Sequence, residues 1–106
     1  AETTEEIVRR LQFVLWRLEA QQDWERGALF DSLKQLAEAL KLKPKALFAP
    51  LFVAISGKSS AYSIPDSMSI LGPDLTRARL RNAIIGLGGV SKKAAKRLEK
   101  EYAALS

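Results

Sequence analysis

Two groups of basic residues stand at spacings that suit a phosphate. Arg77 and Arg81 are four apart and so share one face of any helix that carries them, while Arg79 points elsewhere. Lys92, Lys93 and Lys96 follow directly on the turn Leu87-Gly88-Gly89-Val90-Ser91. Like charges at helical spacing repel modestly unless an anion lies between them, and a phosphodiester group would serve; a solvated helix face with Asp74 as counter-ion is the plainer alternative. A third group lies in the stretch Lys58-Ser-Ser-Ala-Tyr62-Ser-Ile64, where an aromatic and an aliphatic tip stand in a serine-rich loop opened by a lysine. An exposed tyrosine there can stack on a splayed base; an ordinary loop tyrosine covering the core edge is equally compatible with the sequence.

Other chemistry is narrowly bounded. The chain has no cysteine and no histidine, so disulfides, the usual zinc, haem and iron-sulfur sites and any Ser-His or Cys-His nucleophilic pair are excluded within it. Its twelve carboxylates form no recognisable pair in an apolar setting, which general acid-base catalysis would need. The net charge of +5 is unevenly distributed: residues 1–31 carry seven acids against four bases, and residues 32–106 five against thirteen. The basic part is therefore the expected partner-facing part, with nucleic acid as the first reading and a solvated lysine-rich surface as the second. The longest apolar run, Ala46 to Ile55, is interrupted by Pro50 and falls far short of the roughly 20 residues of a membrane span. With no signal peptide at AETTEEIVRR, the expectation is a soluble, cytoplasmic protein that does not engage membranes.

The elements that must position these groups read as helices, with no convincing strand. At 106 residues the chain is one domain with a single core. Thr3 and Glu6 form a capping box ahead of Ile7, Leu11, Val14, Leu15 and Leu18, so a helix is expected over about Thr4 to Gln21. Asp23 is expected to cap a second helix opened by Trp24, with Leu29, Leu33, Leu36 and Leu40 as its stripe and Phe30 and Ala37 beside it; the two make a helical hairpin. A third helix starts at Pro44, is kinked or restarted at Pro50, and stops at Gly57. Its residues Leu51, Val53, Ala54 and Ile55 are expected in the core. A short helix restarts at Pro65-Asp66 and closes at Gly72. A fifth helix follows with Pro73 and Asp74 in its first turn and Leu80, Ala83, Ile84 and Leu87 buried. After the glycines at 86, 88 and 89, Ser91 caps a last helix with Ala95, Leu98, Tyr102 and Leu105 on one face.

At Pro50-Leu51-Phe52-Val53-Ala54-Ile55-Ser56-Gly57 the chain resembles the Pro-Leu-Arg-Val-Ala-Leu-Thr-Gly run of bacterial glutamyl-tRNA synthetases, in their C-terminal anticodon-binding domain. Asp23-Trp24, Lys43-Pro44-Lys45-Ala46-Leu47-Phe48, and Ile70-Leu71-Gly72 followed by Asp74 and an arginine-rich helix agree in order, over roughly Ile7 to Ala83. The resemblance implies an all-α, compact multi-helix domain of the class I synthetase anticodon-binding, helical-cage type, with about six helices. The HIGH and KMSKS signatures of the catalytic domain are absent, so the resemblance implies an accessory domain of an ATP-dependent ligase, with no cofactor expected in this chain. Its implied partners are tRNA, of glutamate type, and the synthetase's catalytic domain; a monomer is expected. In the family the motif's arginine and the loop after its glycine contact the anticodon. The aliphatic loop contact falls on Ile64, with Tyr62 in the same loop. The arginine position is Phe52, which lacks both the charge and the hydrogen-bonding fork.

Residues 87–106 extend past the usual end of that family. Leu87 to Leu98 resembles a helix-hairpin-helix turn, which grips sugar-phosphate backbone through N–H groups at a helix start. Ser91 replaces its second glycine and Gly88 its usual proline. Two alternatives to anticodon binding therefore stand: non-sequence-specific nucleic-acid binding through Gly88–Lys93, and a protein-interaction domain whose basic faces dock an acidic partner.

Overall fold

A computed structural model describes residues 3–56 and 63–105. They form six α-helices: α1 (Thr4–Glu19), α2 (Arg26–Ala39), α3 (Pro44–Ser56), α4 (Ile64–Leu71), α5 (Pro73–Gly86) and α6 (Lys92–Ala104). No strand occurs among the described residues, and no helix is long and apolar enough to cross a membrane. The expected cap at Gly57 lies outside the described residues.

Local chemistry starts most of these helices. Thr3 is extended, and its hydroxyl accepts the Glu6 N–H at 3.2 Å, so one orphan donor of α1 is satisfied. The Glu6 carboxylate faces Arg10 at 4.0 Å. Ser63 caps α4 through the Asp66 N–H at 3.3 Å and donates its own hydroxyl to the Asp66 carboxylate at 2.8 Å. Ser91 caps α6 by accepting from Ala94 N–H at 3.1 Å.

The second helix starts later than its sequence predicts. Asp23 accepts the Glu25 N–H at 3.1 Å, closing a turn of the connection, and Glu25 is the N-cap without a side-chain bond. Trp24 stays outside the helix because its indole spans to α4, where it donates to the Met68 carbonyl at 2.7 Å.

Pro50 neither stops nor divides α3, although it removes one backbone hydrogen bond. Leu47, Leu51 and Ile55, at successive fourth positions, are all buried in the core and hold both halves to one axis. Val53 lies off that row and is 71% exposed, contrary to its expected core position. Ala54 and Phe52 are partly buried against the core.

The core is built from Leu11, Phe13, Val14 and Leu18 of α1, Leu29, Leu33 and Leu36 of α2, and Met68, Leu80 and Ile84 of the later helices. Although α1 and α2 touch, α1 packs most extensively on α5 and α2 on α4, so the first two helices are braced from outside as well as by each other. Phe30 and Leu87, expected with the buried stripes, are both exposed.

The last helix packs against α1. Leu98 is buried, and the Tyr102 ring lies 5.6 Å from Phe13 and 5.5 Å from Trp16. Arg9 and Glu101 join the same two helices at 2.8 Å.

Candidate nucleic-acid interface

The three arginines of α5 all reach protein groups. Arg77 donates twice to the Leu18 carbonyl, at 3.1 and 2.7 Å, and once to the Gln21 carbonyl at 3.3 Å. Those carbonyls lie at and just beyond the end of α1, where the Leu18 carbonyl also accepts the Gln21 N–H at 3.2 Å and the helix dipole favours a cation. Its guanidinium also lies over the Trp24 ring, 5.3 Å from the centroid. Arg79 donates to the Ile55 carbonyl near the end of α3. Arg81 faces Glu19 at 3.4 Å and keeps half its side chain in solvent. Arg77 and Arg81 do share a face, but the acceptors between them are α1 carbonyls and a carboxylate. The sequence shows their spacing; it carries no signal for carbonyls some sixty residues earlier.

At the other expected site, Lys58 and Tyr62 lie outside the described residues. Ile64 is the first residue of α4 rather than a loop tip, and at 5% exposure it belongs to the core. It turns inward because Ser63 starts the helix one residue before the expected Pro65 restart. Beside it opens a cleft of about 520 Å³, walled by Phe30, Phe48, Ile64 and Pro65. The Phe30 and Phe48 rings stand 6.1 Å apart at 56°, and Phe30 is 40% exposed. Arg26 and Asp66, paired at 3.3 Å, border the cleft. Such a surface offers a π-face and an apolar slot with a charged edge, which suits a planar heterocycle. Phe30 and Phe48 were not among the expected site residues; the signal available was the misfit of Phe30 beside a leucine stripe.

The group from Leu87 to Lys96 divides in two. The turn after α5 is a Schellman closure, with Gly88 N–H on the Ile85 carbonyl at 3.0 Å and Gly89 N–H on the Ile84 carbonyl at 2.9 Å. Gly88 and Gly89 have φ of 114° and 72°, left-handed values that account for glycine at both positions. Their N–H groups are thus committed to α5, and the backbone grip expected of a helix-hairpin-helix turn is absent from these two donors. Lys92, Lys93 and Lys96, by contrast, are fully on the surface of α6.

Comparison with known proteins agrees with the motif at residues 50–57. A family model described as "Anticodon binding domain" matches residues 1–84. The chain is 57% identical over 102 residues to the glutamate-tRNA ligase of Marinomonas sp., an alignment covering 95% of this chain and 21% of that protein, so it runs well into residues 87–106, which were expected to lie past the family's end. The glutamate-tRNA ligase of Marinobacter nauticus is 50% identical over 100 residues, covering 94% and 20% respectively. That of Cellvibrio japonicus is 55% identical over 96 residues, covering 91% and 19%. The chain therefore spans about a fifth of the length of the curated relatives it matches.

Proposed function

This chain belongs to the anticodon binding domain family found in glutamate-tRNA ligases, and we propose that it binds the anticodon arm of a glutamate-type tRNA and positions it for a catalytic domain. The observation that carries this reading is the aromatic cleft at Phe30, Phe48, Ile64 and Pro65. Its lining includes Ile64, the position on which the family's aliphatic loop contact falls. RNA is read mainly through unstacked loop bases, and stacking on an aromatic side chain contributes about 1–3 kcal/mol per base.

Phe52 gives recognition a different character at the family's arginine position. A guanidinium fork discriminates bases by paired hydrogen bonds, whereas a partly buried phenyl ring contributes shape and stacking. From the sequence, Tyr62 is assigned a stacking role and Lys58 a phosphate contact, both outside the described residues. The role needs no cofactor in this chain, is compatible with a monomer, and belongs to the cytoplasm. Aminoacylation is assigned to the attached ligase domain.

The test is a titration of the chain with a synthetic anticodon stem-loop of bacterial glutamate tRNA, an unrelated RNA hairpin and duplex DNA at several salt concentrations. Tighter binding of the glutamate stem-loop than of the other two is expected. Equal affinity for all three, or no binding at low salt, rejects the proposal.

A further inference from the structure

Most arginines in the body of the fold are occupied by protein acceptors. Arg9 meets Glu101, Arg17 meets Ser32 and Gln35, Arg26 meets Asp66, and the three arginines of α5 meet carbonyls or Glu19. Lys34, Lys41, Lys43 and Lys45 are exposed and joined to no carboxylate among the described residues, and the cations of α6 share that state while crowding a single helix. Lys92, Lys93, Lys96, Arg97 and Lys100 are exposed, and none is joined to a carboxylate among the described residues.

Their angular placement is narrow. With 3.6 residues per turn, the five project within about 140° of arc, centred nearly opposite Leu98. They extend over about 12 Å of helix axis. Glu99 falls just outside the arc, and Glu101, on the other border, is bound to Arg9. Like charges thus stand at i,i+4 for Lys92, Lys96 and Lys100 and for Lys93 and Arg97, which disfavours the helix in isolation. Lys92 and Lys93 also sit in the first turn, at the positive end of the dipole. Glu5, Glu6 and Glu101 line a hollow beside Arg97 and Ser91, and none of them is within ion-pair distance of the five cations.

We infer that this face of α6 is an RNA phosphate-binding ridge, separate from the aromatic cleft and gripping the backbone of the stem of the tRNA whose loop the cleft receives. The inference rests on the anticodon-binding reading for the identity of the polyanion. Membrane binding does not fit, because the apolar side that would enter a bilayer is already used: Leu98 is buried and Tyr102 packs on Phe13 and Trp16. The ridge lies on the outer side of α6, which packs on α1 through Tyr102 and Glu101, whereas the cleft is formed by α2, α3 and α4, so the two are separate surfaces. The ridge supplies affinity and orientation with no base reading.

The experiment measures binding of the glutamate-tRNA anticodon stem-loop by the full 106-residue chain against KCl concentration. Each lost phosphate contact lowers the slope of log K against log salt by about 0.7–0.9. The triple variant Lys93→Gln, Arg97→Gln, Lys100→Gln should lower it by about 2–3. A control with the same charge change elsewhere, Lys34→Gln, Lys41→Gln, Lys43→Gln, should lower it by less than about 1. Lys93→Arg with Lys100→Arg should preserve the wild-type slope, and Lys100→Gln alone, checked for helicity, should give a single step. Equal slopes for wild type and triple variant, or equal reductions in the triple and the control, overturn the ridge and leave the anticodon reading standing. A wild-type chain that binds no RNA rejects both. Equally tight binding of poly-glutamate and RNA at the same salt makes α6 an acidic-protein dock and overturns the RNA ridge.

Discussion

Arg77 lies over the ring of Trp24, 5.3 Å from its centroid, while the same indole donates to the Met68 carbonyl at 2.7 Å. One arginine and one tryptophan thereby tie the end of α1, the connection to α2, and the helices α4 and α5. A mutation that keeps charge but loses the fork separates this structural role from phosphate binding. Arg77→Lys should lower unfolding free energy by about 1–2 kcal/mol, since Leu18 and Gln21 lose well-placed donors. Its affinity for RNA should change less than twofold once folded, as measured by denaturant melts alongside binding titrations.

Phe30 presents the opposite case, a large ring with much of its surface free. Phe30→Ala should weaken stem-loop binding by about 5- to 150-fold, the range of one lost stack, while leaving the salt slope unchanged. Circular dichroism should show little change in the fold, and a binding isotherm gives the affinity.

Thr76 is fully buried, with 0% exposure, and its hydroxyl has no partner among the described residues. Valine has nearly the same shape without the oxygen to desolvate. Thr76→Val should be neutral or stabilise by up to about 1 kcal/mol, whereas most buried substitutions destabilise. A lower midpoint in urea would mean that the hydroxyl is bonded in solution.

Two left-handed positions invite opposite substitutions. Lys41, with φ of 59°, ends α2 in the conformation glycine adopts freely, its N–H bonded to the Glu38 carbonyl at 3.0 Å and Leu42 N–H to Ala37 at 2.8 Å. Lys41→Gly should raise stability by about 0.5–1 kcal/mol. Gly72 closes α4 and opens α5 at φ 84° and ψ 168°, a region nearly restricted to glycine, so Gly72→Ala should cost about 1–3 kcal/mol. Thermal melts of the two variants should move in opposite directions.

The number and order of helices were readable because their signals are local. Thr3 and Ser91 cap within three residues of themselves, Pro44 and Pro73 occupy first turns, and the Gly88-Gly89 pair closes on carbonyls of its own helix. What was misplaced depends on distant partners. Asp23 and Trp24 look like a cap and a first helical residue, but an acceptor on α4 draws the indole away. Val53 belongs to an apolar run, and only the four-residue row of Leu47, Leu51 and Ile55 shows which side is buried. Arg77 and Arg81 gave their common face correctly, while the groups that meet them come from the far end of α1. Ile64 carries a family contact position, yet a cap one residue earlier placed it in the core.

The chain holds just two tryptophans, and the fold assigns them to different neighbourhoods. Trp16 lies beside Phe13 and Tyr102, where α6 meets α1, and Trp24 lies between Arg77 and the Met68 carbonyl. Each is therefore a built-in optical probe of a separate joint. In a Trp24→Phe protein the remaining emission reports whether α6 is seated, and in a Trp16→Phe protein it reports the junction of α4 and α5. The seating of α6 on α1 and the packing of the α4–α5 junction can thus be followed as two spectroscopic events in one small domain.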